Sequence, residues 1–123
     1  MTPDIQFLIN CCKFKPTASD IEHIRVHLTQ IENQQLSKIV TLAHNHGVFP
    51  LFYQALQTHA SDLLASDDLT ELKQQNMIVV MNNMRMTAEL ILVMRLLEEN
   101  SIDAMAFKGP TLAQLAYGNI TLR

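Results

Sequence analysis

Ser101-Ile-Asp-Ala-Met-Ala-Phe-Lys-Gly-Pro-Thr-Leu-Ala-Gln-Leu-Ala-Tyr-Gly-Asn-Ile-Thr-Leu-Arg123 is the stretch on which the reading of this chain turns. Ile102, Ala104 and Ala106 alternate with Asp103, Met105 and Phe107, which predicts a short strand over residues 102–107. Lys108-Gly109 predicts a turn. Pro110 suits a first helical position and Gly118 the position after a last turn, so a helix is expected between them. Glycine at a helix entrance lets a ligand approach the backbone. The free N–H groups expected at Thr111, Leu112 and Ala113 favour an anion, and Lys108 adds a positive charge beside them. Lys108, Gly109 and Thr111 are therefore candidate phosphate-binding residues. No catalytic or metal-ligating residue accompanies them, because the sequence holds no Asp-x-Asp pair on a strand that would set two carboxylates on one face.

Upstream, the apolar spacing predicts helices. Pro3-Asp4 opens a short one, Ile5 to about Cys12, broken by Lys13-Phe14-Lys15-Pro16. Ser19 or Asp20 is expected to cap a second, carried by Ile24, Leu28 and Ile31. The polar residues 32–35 predict a turn. Leu36, Ile39, Val40 and Ala43 form the next stripe, ended by Gly47 as a left-handed cap. Pro50 opens a helix to about Ala60. Asp67-Asp68 starts a long one, Leu69 to about Glu99, apolar on more than one face and methionine-rich, as expected of a helix packed among neighbours. The fold class is then mainly α: a helical bundle leading into a single β-strand and helix. Residues 1–100 form a helical leader, and residues 101–123 the strand, turn and helix.

A net charge of −3 with nine scattered Lys and Arg gives no basic stripe, so duplex nucleic acid is not an expected partner. The only cysteines, Cys11 and Cys12, are adjacent and cannot build a disulfide framework, which favours a reducing cytoplasm. No secretory signal pattern opens the chain. The longest uninterrupted apolar runs, residues 77–81 and 90–94, fall far short of a bilayer span, so no membrane partner is expected.

Other constellations are weaker. His44 and His46 lie two apart, which on a helix turns them away from each other. His23 and His27 share a face but lack the glutamate that a helical zinc-protease motif carries next to its first histidine. No Gly-x-Ser-x-Gly elbow is present.

Phe107-Lys108-Gly109-Pro110-x-Leu112-Ala113-x-x-x-Tyr117-Gly118-x-x-x-x-Arg123 resembles the Lys-Gly…Tyr…Arg signature of an uncharacterised bacterial nucleotidyltransferase-like family of the polymerase-β superfamily. Ala43-His44-Asn45-His46-Gly47-Val48-x-Pro50-Leu51-x-x-x-x-Leu56 resembles that family's helical leader. The resemblance implies that the C-terminal element begins an α+β nucleotidyltransferase-type domain. It also implies transfer of a nucleotidyl group from a nucleoside triphosphate to an acceptor, with two Mg²⁺ ions held by carboxylates on a following strand. By the same resemblance, Lys108 and Gly109 are phosphate-side residues and Arg123 a substrate-binding or ion-pairing residue. The Asp-x-Asp strand would begin past Arg123, so the 123-residue chain is expected to act as the N-terminal segment of such an enzyme and to be inactive alone. Mg²⁺ and nucleoside triphosphate are expected for the parent protein and no cofactor for this chain by itself. The rival expectation is a complete helical adaptor, self-associating through residues 102–107 or the methionine-rich helix.

Overall fold

In the computed structural model, residues 1–122 are described and fold into helices joined by short connections. The helices are α1 (Pro3–Cys11), α2 (Ala18–Gln30), α3 (Asn33–Asn45), α4 (Phe49–His59), α5 (Ser66–Glu99) and α6 (Gly109–Tyr117), with single 3-10 turns at Ser61–Leu63 and Ile120–Leu122. They fall into two compact units, one from Met1 to Asn76 and one from Met77 onward.

The first unit is held by an aromatic and aliphatic core. Phe49, Phe52, Ile24, Ile39 and Leu56 are its largest fully buried side chains. Phe52 is central: Phe7 meets it edge-on at 6.1 Å and Phe49 tilts against it at 6.2 Å. Such pairs add attraction beyond the area they bury. The helix ends are satisfied locally. Thr17, rather than Ser19 or Asp20, caps α2. Its hydroxyl accepts from the Asp20 N–H while the Asp20 carboxylate accepts from the Thr17 N–H at 2.8 Å, a reciprocal capping box. Gly47 ends α3 at φ +66°. The N–H of Gly47 bonds the His44 carbonyl, and that of Val48 reaches back to Ala43 at 2.9 Å, the paired bonds of a left-handed helix stop. The turn expected over residues 32–35 is shorter: Ile31 and Glu32 are extended and α3 begins at Asn33. The three polar residues after Glu32 occupy a helical first turn, which polar side chains tolerate at a solvent-facing end.

Ion pairs tie this unit's helices together. Arg25 forks onto both carboxylate oxygens of Asp62 at 2.7 and 2.8 Å and also donates to the His59 carbonyl. Asp4 accepts from His27 at 3.1 Å and from Gln35 at 2.7 Å, pinning α1 to α2 and α3.

The second unit corrects the expected fold class. Among the described residues there is no β-strand. Residues 102–107 are irregular, and none of residues 103–107 shares a backbone hydrogen bond with another described residue. A strand exists only through a neighbour's N–H and C=O groups. Alternation of apolar residues predicts which side chains share a face, but it supplies no partner. Ile102, Met105 and Phe107 are all exposed, Met105 at 88%, so neither face is covered. The segment instead follows a left-handed stop of α5: Ser101 takes φ +56°, its N–H bonds Glu98, and the Ile102 N–H bonds Leu97 at 2.9 Å.

α5 runs 34 residues, about 51 Å. One 18-residue window of it has a mean hydropathy of 1.4 and no buried residues, long and apolar enough to cross a membrane by length and composition. The uninterrupted runs read from sequence underestimate this, because its apolar residues are spread between isolated polar ones. Its inward stripe in the second unit, Val79, Val80, Asn83, Thr87, Leu90, Met94 and Leu97, is half-buried, while Met77, Met81, Met84 and Ile91 on another face are exposed.

The capping box makes a pH prediction. Hydrogen bonds from Lys13 and Thr17 hold the Asp20 carboxyl down at about 2, from an ordinary 3.8. Between those values the unfolded chain binds more protons, so stability from this group is fully present above about pH 4 and is lost as pH falls toward 2. Urea midpoints measured from pH 5 to 2 should fall less steeply in Asp20→Asn than in the parent chain.

Candidate nucleotide phosphate site

Two consecutive residues at the entrance of α6 have positive φ. Lys108 has φ +61° and ψ −169°, and Gly109 has φ +52°. Gly109 adopts such angles freely. Lys108 does not: that combination is a region used almost only by glycine, and a side chain there carries strain of about 1–3 kcal/mol. The pair turns the chain sharply into a helix whose N-terminal donors are left open. Among the described residues no side chain caps α6. Leu112 returns its N–H to the Lys108 carbonyl at 3.2 Å, so it is not a free donor. Within the first turn the open N–H groups are those of Gly109 and Thr111, since Pro110 has none. The expected trio of donors at Thr111, Leu112 and Ala113 thus moves N-terminally by about one residue, because the first helical residue is Gly109 rather than Pro110.

The Lys108 side chain is exposed, with its ammonium 5.9 Å from the centre of the exposed Phe107 ring. That contact holds the charge loosely beside the helix entrance. α6 is seated by Ala113, at 1% exposure, and stopped by Gly118 at φ +65°. Gly109 and Pro110 line a small cleft of about 170 Å³, together with Asn83 and Met86 of α5, Ala113 and Ile120. Lys108, Gly109 and Thr111 therefore converge on one turn. Arg123 lies outside the described residues.

Sequence reading did not find Asn83, Met86 or Ile120. Asn83 had one signal, a polar residue on the half-buried stripe of an apolar helix. Nothing in the spacing places Ile120 beside Gly109.

The two cysteines and two of the histidines are engaged away from this turn. Burial pushes the Cys12 thiol up to about 11 and the Cys11 thiol higher still, with Cys12 adding to the effect on Cys11. Both stay protonated at neutral pH and are poor nucleophiles. His44 stacks on Phe49 at 4.0 Å and bonds Gln75 at 2.7 Å. His27 is held by Asp4 and stacks on Phe7 at 4.7 Å. Among the described residues no group of three or more His, Cys, Asp or Glu side chains could hold a metal ion. The residues present thus do not fit the Mg²⁺ pair expected for nucleotidyl transfer.

No curated protein and no solved structure matches the chain. The sequence profile of a family described as "Uncharacterised nucleotidyltransferase" matches residues 32–123, from the start of α3 through the Lys108-Gly109 turn and α6. With three of its helices, the turn and α6 inside that match, the chain belongs to this nucleotidyltransferase family.

Proposed function

We propose that residues 108–111 hold the polyphosphate of a nucleoside triphosphate and form the phosphate side of a nucleotidyl-transfer site. The observation that carries this reading is the strained Lys108-Gly109 turn, which leaves the Gly109 and Thr111 N–H groups open at the N-terminus of α6. Strain kept in a backbone concentrates at functional sites. Open N–H groups at a helix start, backed by its dipole, suit phosphate oxygens. Family membership supports the substrate class.

In the transfer, an acceptor oxygen attacks the α-phosphorus, the bond to the β-phosphate bridging oxygen breaks, and pyrophosphate leaves. The Gly109 and Thr111 donors and the Lys108 ammonium bind and orient the phosphates and neutralise charge on the departing pyrophosphate. Among the described residues no cluster of His, Cys, Asp or Glu side chains could hold a metal ion. The 123-residue chain accordingly binds nucleotide without turning it over. A second reading, a helical interaction module, is favoured by the exposed apolar side chains of α5.

Calorimetric titration of the chain with ATP tests the proposal, using two substitutions that separate charge from strain. Lys108→Met removes the ammonium and should weaken binding roughly tenfold. Lys108→Gly should bind as weakly as Lys108→Met, yet resist urea better by about 1 kcal/mol because the turn is relaxed. No saturable heat with the parent chain, or heat unchanged in both variants, removes the reading.

A further inference from the structure

We infer that one face of α5 is the contact between two copies of this chain, packed antiparallel about a two-fold axis. This does not rest on the nucleotide reading, and none of its residues belongs to the phosphate turn.

Met77, Met81, Met84, Ala88 and Ile91 recur at alternating steps of four and three, the spacing of a seam that meets another helix. All five are exposed; Met81 is 64% exposed and Met84 54%. A contiguous apolar face of this kind marks an interaction surface. It is distinct from the stripe of α5 that the second unit covers, on which Val80, Asn83, Thr87, Leu90 and Met94 are half-buried.

Self-complementarity selects a second copy as the occupant. In an antiparallel two-fold contact, each surface must match itself with the direction reversed. Placing the axis at the level of residue 86 sets Met84 of each copy against Ala88 of the other. Long side chain then meets short, twice, at the centre; Met81 meets Ile91 in the next layers, and at each end Met77 meets the aliphatic stem of Arg95, whose charged head stays in water. A parallel pair would stack Met84 on Met84 and Ala88 on Ala88, alternating a crowded layer with an empty one.

Charge fits the same register. Arg85 and Glu89 flank the seam on one side, both largely exposed and 4.0 Å apart within their own helix. In the antiparallel pair the two Arg85 side chains approach across the axis. The Glu89 carboxylate of each copy lies within one helical turn of the opposing Arg85, so the four groups form a neutral, alternating cluster. A bilayer matches this face poorly, because the same two charges would sit in the middle of the apolar stretch.

Sedimentation velocity on the full chain over a concentration series tests the contact. A reversible monomer–dimer equilibrium is expected. Ala88→Glu, which sets a charge against each opposing Met84 beside the axis, should raise the dimer dissociation constant at least about tenfold. Met81→Lys is a second disruption at another layer, and circular dichroism confirms that both variants remain helical. In a Cys12→Ser background, mixing Met84→Cys with Ala88→Cys chains under mild oxidation should give the mixed disulfide in preference to either homodimer. A chain that is monomeric throughout, a dimer insensitive to both charge variants, preferential homodimer cross-links, or a monomer that partitions onto phosphatidylcholine vesicles would each overturn the inference.

Discussion

The backbone at Lys108 and Gly109 is the constraint on which the functional account depends. Two successive residues at positive φ, one of them a lysine, reverse the chain so that α6 starts with its donors unmatched. A residue with an ordinary backbone at position 108 would let the chain enter the helix through a side-chain cap, as Thr17 does for α2. The N–H groups would then be spent inside the protein. Keeping them open requires strain that α6 must hold in place. Ala113, almost wholly covered, and the left-handed stop at Gly118 fix the helix at its far side and end.

The first unit works by a different logic. Its stability comes from rings around Phe52 and from helix ends closed by their own residues. Three of its acidic groups are paired across the chain: Asp20 with Lys13, Asp62 with Arg25, Asp4 with His27. Such pairs orient helices and give little free energy each when exposed. They also leave no cluster of ligands poised for chemistry among the described residues. The second unit reverses this balance. It covers few of its apolar side chains and leaves open the polar groups at the start of α6.

Much of this was legible in the sequence where the signal was local. Gly47 announced a left-handed stop and Gly118 the position after a last turn, and both are at positive φ. Pro50 and Pro110 announced helix starts and sit in first turns. Lys108-Gly109 announced a turn, and a turn is there. Reading failed where the signal needs a partner. The alternation in residues 102–107 describes a face but cannot supply the hydrogen-bonding neighbour that makes a strand. Asp20 has the composition of a cap, yet it serves from the third helical position, because Thr17 offers a hydroxyl three residues earlier. The positive φ of Lys108 was invisible because lysine carries no sequence signal for that conformation. The cleft beside Gly109 joins residues up to 37 positions apart, from Asn83 to Ile120, and no periodicity encodes that meeting.

Residue-resolved amide chemical shifts of the isotope-labelled chain, followed while tripolyphosphate is added, test the central claim most directly. The largest saturable shifts should belong to Gly109 and Thr111, with Leu112 moving less because its N–H is already committed to Lys108. Saturable shifts centred instead on the histidine-bearing helices of the first unit, or none at residues 108–111, would contradict it.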